Sequence, residues 1–307
     1  MFFRRKKATY IILMYHKIDI PSDYFPSLDP EIFQKQIEFI RKKYSIISLE
    51  DILNGKIIKE NKKPKFIITF DDGYRCIYKY AYPILKKYNM PATVFLTVES
   101  IEKNIPIWTD ILAYYIKTTS QRKLKIRVQH KEYLFDLSDE TKKLIALKQL
   151  KNILKMIDDK EREEIMSSLK NKLEVDTPNE EILYMLSWDK IREMAKNNIS
   201  FGSHTMTHPI LTRVSLGTAG KEIFESKRII EEKIGKPVIT FAYPNGEAMD
   251  FNAQIKNLVK EAGYKVACTT IYGSNNCDTD PYELRRVYTS EQNIIKFAWR
   301  IFKLRWS

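Results

Sequence analysis

The sequence predicts an α/β protein whose parallel strands form a barrel or a doubly wound sheet. Short, continuously apolar runs alternate with longer amphipathic stretches over most of the 307 residues. Such runs are typical of strands buried on both faces, because helices cover both sides of a parallel sheet. A chain of this length with 44% hydrophobic residues can build one large α/β barrel or two ordinary domains.

Strands and helices are assigned from this alternation. The predicted strands are Tyr10–Tyr15, Lys65–Phe70, Ala92–Thr97, Ser200–Ser203, Val238–Tyr243 and Tyr264–Thr270. The predicted helices are Pro30–Tyr44, Ile77–Tyr88, Trp188–Asn197, Leu216–Ile234 and Phe251–Ala262. In a parallel β/α barrel the carboxyl ends of the strands share one rim, and functional residues lie there.

The stretch from about residue 99 to 185 interrupts the alternation. We interpret it as an insertion beside the rim, within a single domain that spans residues 1–307. Leu124, Ile126 and Val128 alternate with charged residues before a polar turn, which predicts a β-hairpin. Two helices should follow, and Ser138 is the predicted N-cap of the first. Substrate binding, dimerisation and a purely peripheral role all stay open for this insertion.

Charge and cysteine content narrow the partners and the compartment. Despite the net charge of +13, the lysines are spread along the chain without a nucleic-acid-binding motif, so we expect no nucleic-acid partner. Cys76, Cys268 and Cys277 show no CxxC spacing, which favours a reducing compartment. The apolar stretch after the basic start is too short for a signal peptide. We expect a cytoplasmic protein, either free or at the inner face of the membrane.

Two polar clusters follow predicted strands. Asp71 and Asp72 end the apolar run before Gly73, and His204 and His208 follow a later strand. One carboxylate and two imidazoles can hold a divalent metal ion with an open position. The second carboxylate can then serve as a base, because adjacent carboxyl groups seldom keep the same pKa. These residues alone do not decide which aspartate has which role.

These clusters resemble the first two motifs of the polysaccharide deacetylases, also called carbohydrate esterase family 4 or the NodB-homology fold. The matching segments are Thr69–Gly73 and His204–His208. The similarity continues over Leu186–Met194, Phe241–Gly246 and Leu284–Val287, while Met14–His16 resembles the biofilm poly-N-acetylglucosamine deacetylases. The resemblance implies a distorted (β/α)7 barrel. It also implies a metal-dependent hydrolase that removes acetyl groups from N-acetylated sugars of a bacterial polysaccharide or its precursor.

The same resemblance implies roles for individual residues. Asp71 would be the catalytic base, and Asp72, His204 and His208 would bind the metal, which is usually zinc in this family. The backbone N–H of Asn245 would stabilise the oxyanion. We also expect aromatic rings to line the sugar-binding groove, namely those of Tyr74 and Tyr243.

This chain departs from the family pattern in two places. Ala242 and Asn245 stand where the third motif of the family usually has an arginine and a tyrosine, and Arg286 is the candidate substitute for orienting the base. No histidine follows His208, so His16 is the candidate acid for the leaving amine. A histidine with a carboxylate neighbour can be protonated near neutral pH, because the negative charge stabilises the imidazolium.

The two departures keep other functions open. A glycan-binding pseudoenzyme would retain the fold without turnover, and a ring of His16 far from Asp71 would favour it. A hydrolase of a non-glycan amide could use the same scaffold, and a small closed pocket would favour that alternative over an open groove.

The C-terminal segment, residues 293–307, combines aromatic and basic side chains without an acidic one. The favoured interpretation is a terminal helix that closes the barrel by burying Phe297, Ile301 and Leu304. The alternative is a helix that lies in the headgroup region of an anionic membrane.

Overall fold

The centre of the molecule is a closed barrel of seven parallel strands. The computed structural model describes residues 10–53, 65–178 and 185–304. The barrel strands are β1 Tyr10–Tyr15, β3 Lys65–Phe70, β4 Ala92–Leu96, β7 Ile199–Ser203, β8 Thr240–Ala242, β9 Val266–Tyr272 and β10 Leu284–Tyr288. They neighbour one another in the order β1-β10-β9-β8-β7-β4-β3, and pairing of β1 with β3 closes the ring. The predicted distorted (β/α)7 barrel is confirmed.

The distortion of the barrel has a local cause in two strands. β8 has only three residues and pairs with β7 at one position, Ser203 with Phe241. The register between β10 and β9 shifts between Leu284 and Arg286. A short strand, β2 Ser45–Ile46, lies beside the first half of β3 outside the ring.

Sequence patterning located six of the seven barrel strands and missed β10 and the short strand β2. The predicted bounds of β1 and β3 agree with the structure, because both strands are continuously apolar and buried. β10 was not predicted as a strand because two arginines interrupt its apolar run. Arg285 faces solvent, whereas Arg286 is buried inside the barrel.

Helices surround the barrel. They are α1 Pro30–Lys43, α2 Tyr82–Lys87, α7 Trp188–Ala195, α8 Leu216–Ile234 and α9 Ala253–Glu261. The predicted helix Ile77–Tyr88 is divided, because a π-helical turn at Ile77–Ala81 precedes α2. Pro83 has no N–H with which to continue a regular i→i−4 ladder.

The described part of the insertion, residues 99–178 and 185, carries four helices and the predicted hairpin. Its elements are α3 Val98–Lys103, α4 Trp108–Thr118, β5 Lys123–Val128, β6 Lys131–Asp136, α5 Glu140–Lys155 and α6 Asp159–Lys172. The hairpin and its apolar face are confirmed, and α5, α6 and the hairpin share a buried cluster that includes Leu124, Leu150 and Leu169. The predicted N-cap was wrong by one residue. Asp139 caps α5 by accepting from the N–H of Lys142, while Ser138 donates its own N–H to Asp136.

The last described helix, α10 Ile294–Leu304, packs against α1 and closes that side of the barrel. It buries Phe297, Ile301 and Leu304, as the favoured interpretation predicted. Within the described ranges every helix is too short or too polar to span a bilayer. The basic start of the chain and residues 305–307, on which part of the C-terminal prediction falls, lie outside the described residues.

Candidate active site and metal centre

The candidate site lies at the carboxyl ends of the barrel strands. Asp71 and Asp72 leave the end of β3, where the N–H of Asp71 donates to the carbonyl of Tyr15 at the end of β1 over 3.0 Å. Asp72 and Gly73 both have left-handed backbones, with φ of 72° and 82°. Successive side chains of a strand point to opposite faces. The left-handed turn replaces that alternation and lets both carboxylates face the same cavity.

Asp72, His204 and His208 converge on one point. The Oδ1 atom of Asp72 lies 3.5 Å from the Nε2 atoms of both histidines. One possible ligand atom from each residue falls within 4.8 Å of the other two, and all three side chains are largely buried. Asp72 Oδ1 has no hydrogen-bond partner among the described residues. A buried carboxylate oxygen without a partner is costly unless a cation or donor completes it.

The histidines are oriented by their surroundings. His204 Nδ1 lies 2.7 Å from the carbonyl oxygen of Ala242, which fixes the proton on Nδ1 and leaves the Nε2 lone pair facing Asp72. The loop that carries both histidines is held by Glu222 of α8, whose carboxylate accepts from the N–H groups of Met206 and Thr207 at 2.8 and 2.9 Å. These contacts hold the imidazoles in place without using the metal-facing nitrogens.

Protonation equilibria also suit a cation. Burial, followed by the charge of Asp71, raises the pKa of Asp72 to about 8. Burial lowers the pKa of His204 and lowers that of His208 well below its ordinary range, so both imidazoles are neutral. Two neutral imidazoles and a carboxylate that lacks a counter-charge form the donor set of a catalytic zinc site. The three residues therefore fit a divalent metal ion.

Arg286 forms a bidentate ion pair with Asp71 through both terminal nitrogens. Nη1 and Nη2 donate to the two carboxylate oxygens at 2.6 and 2.7 Å, and Nε donates to the carbonyl of Thr269 at 2.7 Å. Both residues are almost completely buried. Burial alone would raise the pKa of Asp71, but the charge and hydrogen bonds of the Arg286 guanidinium outweigh burial and hold the pKa well below its ordinary value. Arg286 therefore lies where it can orient Asp71, as its predicted role requires.

His16 lies beside the same carboxylate. Its Nε2 atom is 3.9 Å from Asp71 Oδ2, and its side chain is one-third exposed to the cavity. Burial lowers the pKa of His16 to about 4 although Asp71 acts in the other direction. This differs from the protonated imidazole that a carboxylate neighbour predicts, because burial outweighs the single negative charge. The position agrees with the prediction; the resting protonation state does not.

The three predicted substrate-contacting residues have different positions. Tyr74 lines the cavity, and its ring lies 4.5 Å from the Lys17 ammonium. Asn245 also lines the cavity, and its N–H has no acceptor among the described residues. The prediction for Tyr243 was wrong. Its ring is buried and stacks on Phe251 at 4.6 Å, while its hydroxyl donates to the carbonyl of Tyr282, so this side chain packs in the core.

The insertion forms one wall of the cavity, whose volume is about 450 Å³. Five of its residues line the cavity, namely Ile107, Trp108, Thr109, Asp110 and Lys155. Asp110 accepts from the Lys17 ammonium at 2.6 Å. The sequence gives only weak signals that these two residues belong to the site: Lys17 adjoins His16, and Asp110 is the lone acid of the apolar helix α4. No sequence pattern distinguishes Lys155 from other lysines of α5.

Lys155 connects the insertion to the loop after β8. Its ammonium donates to Asn245 Oδ1 at 2.5 Å, and Asn245 Nδ2 donates in turn to Asp250 at 2.5 Å. Asn245 has a left-handed backbone with φ of 60°, so its side-chain bonds stabilise an otherwise uncommon conformation. The insertion therefore contacts the rim on the Lys17 side and on the Asn245 side.

Fold and site together define a class of protein. A carboxylate held by a guanidinium, beside a two-histidine, one-aspartate set at the rim of a β/α barrel, is the arrangement of a hydrolase that can use a metal ion. The family model described as polysaccharide deacetylase matches residues 58–267. The chain belongs to the polysaccharide deacetylase family, and the predicted enzyme class, a hydrolase of carbon–nitrogen amide bonds, is confirmed.

Individual relatives agree with this assignment. The chain is 27% identical to the poly-beta-1,6-N-acetyl-D-glucosamine N-deacetylase of Staphylococcus epidermidis over 184 residues, which are 57% of this chain and 60% of that protein. Two solved structures share the fold. The Streptococcus pyogenes deacetylase PplD, in complex with acetate, has a TM-score of 0.61 and 20% identity, covering 93% of each chain. IcaB from Ammonifex degensii has a TM-score of 0.62 and 16% identity, covering 99% of each.

Proposed function

We propose that this chain is a metal-dependent deacetylase that removes acetyl groups from N-acetylated sugars of a bacterial polysaccharide or its precursor. The observation that carries the proposal is the bidentate Arg286–Asp71 pair beside the Asp72, His204 and His208 cluster. One carboxylate is ionised and oriented, and the adjacent one faces two imidazole nitrogens. The similarity to a relative named for deacetylation of poly-beta-1,6-N-acetyl-D-glucosamine supports a glycan substrate.

Asp72, His204 and His208 would hold the metal, and zinc is the ion that their donor set favours. The ion would supply Lewis acidity to the amide carbonyl and to the attacking water. The chain provides the orientation of the three ligands. The His204 bond to Ala242 and the Glu222 bonds to the His204–His208 loop support this role, since such contacts restrain ligands before binding.

Asp71 would accept the proton of the attacking water. Arg286 keeps Asp71 ionised and holds both carboxylate oxygens, so the base is available in a fixed orientation. Arg286 also weakens the basicity of Asp71, which favours passing the proton onward. The water oxygen forms a bond to the acetyl carbon, the carbon–nitrogen bond breaks, and the products are acetate and the free amino sugar.

His16 would deliver a proton to the departing nitrogen. It is neutral at rest because burial lowers its pKa to about 4, so it must gain the proton during turnover before it can give it away. The 3.9 Å separation from Asp71 Oδ2 supports a relay in which the proton taken from water passes to the amine. This proximity also counts against the pseudoenzyme alternative, which a distant His16 would favour.

The N–H of Asn245 would donate to the developing oxyanion. It has no other acceptor among the described residues, and the side-chain bonds to Lys155 and Asp250 hold the loop in its left-handed conformation. A pre-oriented backbone donor of this kind stabilises charge only where it develops. The insertion would thus shape the substrate site, a role that its contacts with Lys17 and Asn245 support over a peripheral one.

The sugar-binding surface would be aromatic. Tyr74, Trp108 and Tyr288 line the cavity, and aromatic faces stack on the apolar face of a sugar ring. Residues 1–307 are proposed to act as one domain with the insertion as part of it. The predicted cytoplasmic location stays a prediction, with the three unpaired cysteines as its support.

Acetate release tests the proposal. Chelator-treated protein is supplied with zinc or cobalt and incubated with N-acetylglucosamine oligosaccharides in β-1,6 and β-1,4 linkage. We expect acetate from at least one of them and none from protein that stays metal-free. Asp71→Asn protein with an unchanged metal content serves as the matched control. No acetate from any oligosaccharide, together with turnover of a small non-sugar N-acetyl amide, would replace the glycan substrate with a compact amide.

A further inference from the structure

Helix α10 has two apolar faces, and only one of them is needed by the barrel. Phe297, Ile301 and Leu304 are buried against the core. On the opposite face, Ile295, Trp299 and Phe302 are 75%, 58% and 44% exposed. Their spacing of four and three residues places them on one stripe of the helix. We call this stripe the outer face of α10. Three large apolar side chains of α10 are therefore substantially exposed rather than buried in the core.

The outer face is organised and bordered by positive charge. Trp299 and Phe302 stack with ring centroids 5.7 Å apart, and the Lys303 ammonium lies 5.4 Å from the Trp299 ring. Lys296 adjoins Ile295, and α10 contains no acidic residue. No ion pair to Lys296 or Lys303 occurs in the described part of the chain, whereas Arg300 pairs with Glu291. The face therefore combines apolar bulk with two uncompensated cations.

A further cation borders the same helix from α1. The Lys43 ammonium lies 4.5 Å from the Phe39 ring, and Phe39 contacts Phe297 of α10 at 6.2 Å. Arg41 and Lys42 precede Lys43 in the last turn of α1, and all three are exposed. Positive charge thus extends from α10 to the neighbouring helix end.

We propose that the outer face of α10 docks this protein on an anionic lipid bilayer. Ile295, Trp299 and Phe302 would enter the boundary between headgroups and acyl chains, while Lys296 and Lys303 contact lipid phosphates. A helix with a large apolar face and flanking lysines lies in the plane of such an interface, and tryptophan is favoured at that depth. Lysines beside an anionic leaflet strengthen binding electrostatically.

The positive charge of the outer face favours an anionic bilayer, rather than a second copy of the chain, as its binding partner. A symmetric dimer through this face would bring the Lys296 and Lys303 groups of both copies together without an acid to pair with them. An anionic bilayer can accept the apolar side chains in its interface and neutralise the two lysines with its lipid phosphates.

Helix α10 is connected to the cavity lining through Arg300. Arg300 Nη1 donates to the carbonyl oxygen of Tyr288 at 2.6 Å, and Tyr288 lines the cavity. The lipid-bound protein would therefore present its cavity to glycans close to the membrane. This consequence rests on the proposed deacetylase function, whereas bilayer binding itself does not.

Vesicle sedimentation of the full chain tests the docking. We expect sedimentation with vesicles of equal parts phosphatidylglycerol and phosphatidylcholine, little with pure phosphatidylcholine, and release when the salt concentration is raised. Trp299→Ser/Phe302→Ser and Lys296→Gln/Lys303→Gln should each lower the partition coefficient at least tenfold. Leu134→Ser/Ile145→Ser, which removes two exposed apolar side chains from the insertion, is the matched control and should bind as the parent does.

Two further measurements separate the outcomes. Brominated lipids should quench the parent fluorescence more than that of Trp299→Phe, and acetate release from a soluble oligosaccharide should be the same in all these variants. Equal binding to both vesicle types, or unchanged binding of Trp299→Ser/Phe302→Ser, would overturn the proposal. So would a concentration-dependent dimer in sedimentation velocity that the same double variant abolishes, since the face would then join two copies. Bilayer binding without acetate release would leave the docking intact and count against the proposed function alone.

Discussion

The catalytic centre and the insertion wall meet at one cavity, but they are built differently. The centre takes its side chains from strand ends and adjoining loops, and Asp71 is held there by two buried hydrogen bonds from Arg286. The wall takes long or aromatic side chains from helices, and Lys155 touches the rim through a single hydrogen bond to Asn245. The barrel therefore holds the proposed base directly, while the insertion contacts a loop that carries the proposed backbone donor.

Removing the base should break the centre most severely. Asp71→Asn keeps the shape of the side chain but cannot accept a proton, so kcat should fall about 10²–10⁴-fold, the usual contribution of a general base. Zinc content and the circular dichroism spectrum should be unchanged. Activity within a factor of five of the parent would assign the base to another residue.

Breaking the buried ion pair should cost stability as well as activity. Arg286→Met leaves the Asp71 carboxylate buried without its partner, and the free energy of unfolding should drop by about 3–5 kcal/mol in urea titration. Arg285→Met, one residue away and exposed, is the control and should change it by less than about 0.5 kcal/mol.

The double variant shows whether the loss belongs to the pair. Asp71→Asn/Arg286→Met should recover part of the lost stability, because no unpaired charge remains. If the double variant instead loses as much stability as the two single variants together, Arg286 stabilises the barrel independently of Asp71.

Loss of the proposed acid should be selective for the leaving group. His16→Gln should lower kcat for an N-acetyl sugar about 10²-fold, because the amine must leave protonated. Hydrolysis of p-nitrophenyl acetate should be nearly unaffected, since this leaving group needs no proton. An equal loss with both substrates would identify His16 as a positioning residue rather than the acid.

A variant in the insertion wall should lower kcat least, in contrast to the variants of the catalytic centre. Lys155→Met removes the hydrogen bond to Asn245 but leaves the proposed backbone donor in place, so kcat should fall about tenfold with little change in KM. Lys148→Met, an exposed lysine of the same helix, should have no effect. A loss as large as that of Asp71→Asn would place Lys155 in the chemistry itself.

The contrast between strand-end residues and the insertion also explains which features could be predicted from the sequence. β1 and β3 were located to the residue because they are continuously apolar, and Asp71, Asp72, His204 and His208 were found because they follow strands. β10 was missed because a buried arginine looks like a surface residue until its partner carboxylate is placed.

The errors concern side-chain direction and long-range packing. Tyr243 follows β8 at the rim, but its ring points into the core, while Trp108 of the insertion faces the cavity. The Lys155 contact joins residues 90 positions apart in the sequence. Neither outcome is encoded in a local pattern, since both depend on how the insertion and the loop after β8 pack together.

The most direct test of the central claim is zinc titration of chelator-treated protein with acetate release as the readout. We expect activity on an N-acetylglucosamine oligosaccharide to rise with zinc to saturation at one ion per chain in the parent. Asp72→Asn should need far more zinc, because the charged member of the three proposed ligands is lost. Asp71→Asn should bind one zinc as tightly as the parent and stay inactive. Full activity without any divalent metal, or equal zinc affinity in Asp72→Asn, would contradict the division of the two aspartates into base and ligand.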